Sequence, residues 1–156
     1  AMIENDEPFA SAPQLYWKLG DTWSPATEGP AIPNRLAARG QAVADFDGDG
    51  DLDLVVAQNQ GPARLFRNDL RAGQPWLRII LQATRSHASA AGARVELHTP
   101  RNVTVRTYGP QLGYLAQSDP ALTFGLIRRL VIQWPSGQRQ EVKGLAINRA
   151  HTIIEP

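Results

Sequence analysis

Along the C-terminal half of the chain, short segments of apolar and polar residues are separated by turn-forming residues. In residues 93–99, Val95 and Leu97 alternate with charged and polar residues, the period of two that a strand with one buried face requires. Residues 76–83 form a mostly apolar run. Strands are predicted over residues 76–83, 93–99, 103–108, 122–126, 130–134, 140–142 and 151–154. Short strands at this spacing predict a β-sandwich or a small barrel.

The N-terminal half predicts fewer strands and more loop. Residues 20–40 contain three prolines and three glycines, which argues against a regular element there. Residues 1–13 are polar and contain proline, and we expect a loose tail. Strands are predicted over residues 15–19, 41–44, 52–58 and 63–68, with a Gly61-Pro62 turn between the last two. Because no long amphipathic helix is evident, the predicted fold class is all-β.

Residues 45–53 contain five carboxylates in nine positions, at Asp45, Asp47, Asp49, Asp51 and Asp53. Neighbouring carboxylates repel each other by about 1 kcal/mol at several ångströms, and a cation among the oxygens would remove that repulsion. The spacing D-x-D-x-D-G-x-x-D is that of a loop that wraps a hard cation, usually Ca²⁺. Asp45, Asp47 and Asp49 would bind through their side chains. Asp51 would bind through its carbonyl with its carboxylate in water, and Asp53 would bind directly or through a water.

The strands around this loop distinguish it from a helix–loop–helix calcium site. Val56 stands at the twelfth position, where that site has a bidentate Glu. We therefore expect a strand–loop–strand site of weak affinity, roughly 10⁻⁴–10⁻³ M, as in extracellular modules. Gly50 would make the sharp turn, and Leu52 would anchor the loop to a core. The alternative is a solvated acidic turn without metal.

The net charge of the 156 residues is +1, but the two halves differ. Residues 1–70 carry 11 acidic and 5 basic residues, whereas residues 71–156 carry 4 acidic and 11 basic residues. A polar stretch at residues 68–73 separates them, and we predict a domain boundary there. The arginines form no run and alternate with apolar residues, as on the solvated face of a sheet, so we expect no nucleic-acid partner. The chain has no cysteine and no apolar stretch of transmembrane length.

Two parts of the sequence resemble known families. The sequence DFDGDGDLDLVVAQNQGPARLFRND, within residues 41–69, resembles an FG-GAP/VCBS-type propeller repeat, in which the acidic loop joins two strands of a blade and binds Ca²⁺. Residues 76–155 are similar to an ASPIC/UnbV domain of the cartilage acidic protein family and its bacterial relatives. The motifs that carry this second similarity are G-A-R-V at 92–95, G-Y-L-A-Q-S-D-P at 113–120, F-G-L at 124–126 and W-P-S-G at 134–137.

The predicted organisation is a loose tail at residues 1–13, a blade or partial blade at 14–70, and a C-terminal sandwich-like or barrel-like domain at 71–156. The resemblance implies that the blade is of the propeller type and binds calcium. One clear repeat leaves its faces and edges unburied. Either the chain is a piece of a longer propeller protein, or partner chains cover the blade.

Other motifs carry little chemistry. His87, His98 and His151 lack metal-ligand spacing, and Ser118-Asp119 is not in a nucleophile elbow. Trp134 is predicted to be core, with a hairpin turn after it. The segment around Tyr114 is either a ligand-binding loop or a structural loop with this ring packed inward.

These features favour a non-catalytic, calcium-stabilised, extracytoplasmic module, secreted or periplasmic, that contacts proteins or matrix. A second hypothesis is an accessory subunit of a larger extracytoplasmic complex. A third is a fragment of a biosynthetic tailoring enzyme, which lacks support because no acid, base or nucleophile cluster is evident outside the acidic loop.

Overall fold

The computed structural model of the protein describes residues 10–25, 36–59, 61–70 and 73–156. All regular elements within these residues are β-strands, which confirms the all-β prediction. The described part of the chain has no helix long and apolar enough to cross a membrane. The strands are β1 (Tyr16–Leu19), β2 (Thr22–Pro25), β3 (Ala38–Ala44), β4 (Asp53–Gln58), β5 (Gly61–Phe66), β6 (Leu77–Gln82), β7 (Arg94–His98), β8 (Val103–Thr107), β9 (Leu112–Gly113), β10 (Ala116–Gln117), β11 (Leu122–Phe124), β12 (Arg129–Gln133), β13 (Arg139–Lys143) and β14 (Arg149–Ile154).

The N-terminal strands form a hairpin, β1–β2, and a three-stranded antiparallel sheet in the order β3-β4-β5. The β-branched run of β4 suits its central position, where both neighbours pair with it. Ala44 and Asp53 are register partners, so the acidic loop connects β3 to β4 as a hairpin connection. The strand–loop–strand arrangement is therefore confirmed, and the sheet is an open, partial blade.

The C-terminal strands form two open sheets, in the orders β11-β6-β14 and β13-β12-β7-β8. All neighbours are antiparallel except β6 and β14, which run parallel. Alternate residues of the two sheets meet in one apolar cluster, so this region is a sandwich of facing sheets. The cluster includes Ile79, Leu81, Val95, Leu97, Leu122, Leu130, Ile132, Trp134 and Ile153.

Trp134 is almost completely buried in this core, as predicted. The hairpin turn after it is also confirmed, because the Gly137 N–H donates to the Trp134 carbonyl at 2.9 Å. Gly137 has a φ of +90°, a conformation that favours glycine over residues with a Cβ.

Several local predictions are wrong. The expected Gly61-Pro62 turn is the start of β5, where proline is tolerated because β5 is an edge strand. Strand β2 lies in the segment predicted to be loop, and the β9–β10 hairpin was not predicted. The predicted tail lies mostly outside the described residues, but Ser11 forms an antiparallel bridge with Leu36. The predicted domain boundary falls between β5 and β6 and stays a prediction.

Candidate metal centre

The acidic loop brings together three of the five aspartates. Asp45, Asp47 and Asp49 each offer a carboxylate oxygen, and these oxygens all lie within 4.8 Å of one another. Oxygens that bind one Ca²⁺ at 2.3–2.6 Å can be no more than about 5 Å apart, so this grouping fits the ion. Asp45 is 8% exposed and forms the buried side of the group.

Backbone N–H groups of the loop orient these carboxylates. The Asp45 carboxylate accepts from the Gly48 N–H at 2.8 Å and from the Gly50 N–H at 3.2 Å. Asp47 accepts from the Asp49 N–H at 3.3 Å, and Asp49 accepts from the Asp51 N–H at 2.8 Å. Each carboxylate oxygen has two lone pairs, so these bonds fix the side chains and leave acceptor capacity for a cation.

Asp53 lies outside this group of three and holds the loop closed. Its carboxylate is almost completely buried, and it accepts from the Phe46 N–H at 2.9 Å and from the Asn68 N–H at 2.8 Å. These two bonds join the start of the loop to the residues after β5. A cation role for Asp53 stays a prediction.

Two expected orientations in the loop are wrong. The Asp51 side chain was expected to face water, but the residue is only 5% exposed. Leu52 was expected to anchor the loop in a core, but it is 43% exposed. The alternation of inward and outward residues that applies in a strand does not continue through this loop, which the structure shows as a series of bends.

The pKa of the Asp47 carboxyl is raised, first because the fold removes water from it. The negative charges of Asp49 and Asp53 raise this pKa further, whereas the Asp49 N–H and the Arg67 guanidinium lower it. The Arg67 Nε lies 3.9 Å from the Asp47 carboxylate but only 2.9 Å from that of Asp69. A bound cation would relieve the repulsion that remains at Asp47.

Sequence reasoning missed the residues of the sandwich that contact the loop. Trp76 lies against Gly50, and Arg78 reaches the carbonyl of Asp45 from strand β6. Arg78 also forms an ion pair with Asp119. The sequence did carry one signal for Arg78, which is a single arginine inside the otherwise apolar run of β6. A charge on a buried strand needs a polar partner, so this arginine predicts a contact with another part of the chain.

The other candidate groups are dispersed. Ser118, rejected as a nucleophile, accepts the Val43 N–H at 3.0 Å. His87 contacts Ser89 in the β6–β7 loop, His98 lies on β7, and His151 lies on β14. None of them belongs to the cluster of possible metal ligands found among the described residues.

The Tyr114 side chain does not pack inward, because the residue is 71% exposed. It lies between β9 and β10, at the end of a hairpin that also exposes Leu112 and Leu115. Of the two interpretations of this segment, the one with an inward ring is therefore wrong.

Comparison with known proteins confirms the resemblance. The ASPIC and UnbV family matches residues 83–156, an FG-GAP-like repeat matches residues 5–56, and an FG-GAP repeat matches residues 42–77. Cartilage acidic protein 1 of Mus musculus is 31% identical over 135 residues, or 81% of this chain and 21% of the relative. The Homo sapiens protein of the same name is 30% identical over 135 residues, covering 81% of this chain and 20% of the relative.

Cartilage acidic protein 1 of Xenopus tropicalis is 36% identical over 107 residues, covering 64% of this chain and 16% of the relative. The chain thus spans about a fifth of the length of these relatives.

Proposed function

Since this chain carries FG-GAP-like repeats and an ASPIC/UnbV domain and is homologous to cartilage acidic protein 1, we propose that it is a non-catalytic, extracytoplasmic β module. In this proposal, Ca²⁺ binds the acidic loop and stabilises the blade, and other surfaces contact protein or matrix partners. The observation that carries the proposal is the convergence of Asp45, Asp47 and Asp49 within 4.8 Å.

The geometry of the loop supports a weak Ca²⁺ site. Asp45, Asp47 and Asp49 supply three carboxylates, and the Asp51 carbonyl is the fourth expected ligand. Val56 occupies the position of the bidentate Glu and is buried in β4. Without that ligand, an affinity of roughly 10⁻⁴–10⁻³ M is expected, which suits compartments where Ca²⁺ is plentiful. This requirement supports an extracytoplasmic location.

The non-catalytic part of the proposal is supported by the roles of the polar residues outside the loop. Ser118 accepts a backbone N–H, and Asp119 is paired with Arg78. Glu155 is buried and accepts backbone N–H groups of the β6–β7 loop. These structural contacts argue against a catalytic role for the three residues, because a nucleophile, general acid or general base must be able to reach a substrate.

An exposed apolar surface supports contact with a partner. The β9–β10 hairpin exposes Leu112, Tyr114 and Leu115, which gives an apolar patch that contributes little to the core. Patches of this kind often mark sites of protein interaction. The proposal therefore includes contact of the β9–β10 hairpin with a protein partner.

Thermal unfolding with Ca²⁺ and with chelator tests the metal part of this proposal. With a dissociation constant of 10⁻⁴–10⁻³ M, we expect 10 mM Ca²⁺ to stabilise the wild-type protein by about 1.4–2.7 kcal/mol. This corresponds to a rise in melting temperature of about 3–11 °C. The Asp47→Ala variant should lose the response, whereas Asp21→Ala, which removes an exposed carboxylate outside the loop, should keep it. An identical melting temperature of the wild type with and without Ca²⁺ would exclude a structural metal.

A further inference from the structure

Arg78 connects the sandwich to the acidic loop. It lies on β6 between Leu77 and Ile79, whose buried side chains are on the opposite face of the strand. Its Nη1 lies 3.5 Å from the Asp45 carbonyl oxygen, and its Nη2 forms an ion pair with the Asp119 carboxylate. Both side chains of this pair are largely shielded from water, where a charge-assisted bond between a guanidinium and a carboxylate is strong.

Trp76 makes a second contact with the loop. A Cβ atom built on Gly50 would lie 2.1 Å from Cγ of Trp76, so the indole packs directly on the backbone of the loop. The backbone of Trp76 is itself fixed, because its N–H donates to the Asn148 side chain at 3.1 Å and its carbonyl accepts the Asn148 N–H at 2.7 Å. The position of the loop is therefore tied to the start of β14.

Ser118 and Asp119 make the third contact, at the strand that leads into the loop. The Val43 N–H donates to the Ser118 hydroxyl at 3.0 Å, and the Asp119 N–H donates to the Val43 carbonyl at 3.0 Å. Val43 lies two residues before Asp45. The same short segment, between β10 and β11, therefore contacts β3 and, through the Asp119 carboxylate, pairs with Arg78.

We propose that Arg78, Trp76 and the Ser118-Asp119 segment are positioning residues for the cation site and couple its occupancy to the sandwich. They hold the backbone of the loop, at the Asp45 carbonyl and at Gly50, in the arrangement that brings the carboxylates of Asp45, Asp47 and Asp49 together. The inference rests on the proposed Ca²⁺ binding and goes beyond it, because it assigns a role to residues that bind no metal.

Coupling of this kind is reciprocal. We call the contacts of Arg78, Trp76 and the Ser118-Asp119 segment with β3 and the loop the junction. If the junction favours the cation-binding arrangement, a bound cation must stabilise the junction by the same free energy. A weakened junction must then weaken Ca²⁺ binding, even when the variant residue is not a ligand.

The sign of one mutational effect separates this inference from simple electrostatics. Arg78 carries a positive charge beside the loop, so repulsion alone predicts that Arg78→Met strengthens Ca²⁺ binding. The coupling predicts the opposite, an increase of about fivefold or more in the Ca²⁺ dissociation constant. Arg101→Met is the matched control, because it removes an exposed arginine in the β7–β8 turn and should leave the constant unchanged.

A second variant changes no charge and disturbs the fold less. Ser118→Ala removes the acceptor of the Val43 N–H, and we expect it also to raise the Ca²⁺ dissociation constant several-fold. Ser89→Ala is its control, since the Ser89 hydroxyl accepts the Ala91 N–H far along the chain from the loop contacts.

Trp76 provides a direct readout in the wild-type protein. Titration with CaCl₂ should change the tryptophan emission. Both Trp76→Phe, which removes the indole ring beside the loop, and Asp47→Ala, which removes a carboxylate of the site, should abolish that change. Dissociation constants for the variants come from the same titration and from melting temperature against Ca²⁺ concentration.

The outcomes distinguish this inference from the proposed function. A wild-type protein that binds no Ca²⁺ overturns both. A wild-type protein that binds Ca²⁺ with a silent Trp76, or with unchanged or tighter binding in Arg78→Met and no effect of Ser118→Ala, overturns only the coupling.

Discussion

At Gly50, the backbone of the acidic loop packs against Trp76 of the sandwich. Its φ is +93°, and a Cβ there would overlap Trp76 at 2.1 Å. Gly48 also has a positive φ, +78°, but a Cβ at that position would meet no atom within 4 Å. The two glycines therefore share the backbone requirement and differ in the contact with Trp76.

This difference makes a matched pair of variants. Gly48→Ala should cost roughly 1–2 kcal/mol, because a residue with a Cβ is strained at positive φ. Gly50→Ala should cost about 1–3 kcal/mol more, since the added methyl group overpacks against the indole. Urea denaturation of both variants measures the costs, and equal values would mean that Trp76 moves aside freely.

The spacing of the aspartates predicted that the first three side chains of the loop turn to one side, and their carboxylates do converge. The same spacing did not separate these three from Asp53, which lies outside the group. The burial of Asp51 was not predictable in this way. The loop is packed against Trp76, more than twenty residues later in the chain, and local spacing carries no information about such a contact.

At the scale of elements, alternation and turn chemistry predicted the strands that contribute to the core. The β9–β10 hairpin escaped detection because each strand has only two residues and because its support is tertiary. Tyr114 lies so close to β3 that a Cβ on Gly40 would approach its carbonyl oxygen to 2.9 Å. A long-range contact, and not a local hydrophobic pattern, places this hairpin.

Glu155 ties the end of β14 to two connections of the sandwich. Burial alone would raise the pKa of its carboxyl, but donors outweigh this effect and hold the pKa at about 2. The donors are the Ser136 hydroxyl and the N–H groups of Thr84, Arg85 and Ser86. The residue directly follows β14, so one carboxylate joins that strand to the β6–β7 loop and to the turn after β12.

This arrangement predicts a pH dependence of stability. The carboxyl has a pKa of about 2 in the folded protein and an ordinary value of 4.5. Its contribution is therefore complete above pH 4.5 and is lost as the pH falls toward 2. Glu155→Gln should lower the melting temperature at neutral pH, and the gap to the wild type should narrow across this acidic window.

Melting temperatures of both proteins between pH 7 and pH 2 measure the effect. The pKa values of Glu96 and Glu141 are also lowered, first by hydrogen bonds from Arg94 and Lys143 respectively. Because both groups are present in both proteins, the difference between the two curves isolates Glu155. A gap that stays constant with pH would contradict the assignment of the lowered pKa to folding.

At the scale of the whole molecule, buried apolar side chains are unevenly distributed among the described residues. The continuous core belongs to the sandwich, where β6, β7, β12 and β14 all contribute. In the partial blade, Val56 is the buried apolar residue of β4, and β5 is exposed along most of its length. Since burial is the main stabilising term, the two regions should differ in local stability.

Hydrogen exchange measures this difference directly. Backbone amides of β7 and β12 should be the most protected, and those of β3 and β4 should exchange faster in the presence of chelator. Saturating Ca²⁺ should slow exchange in β3 and β4 most strongly, because the loop between them carries the carboxylates. Asp47→Ala should abolish that slowing and leave β7 and β12 as protected as in the wild type with chelator. Uniform protection of both regions without Ca²⁺ would contradict the argument, because it would require the blade to draw its stability from contacts other than its own sparse core.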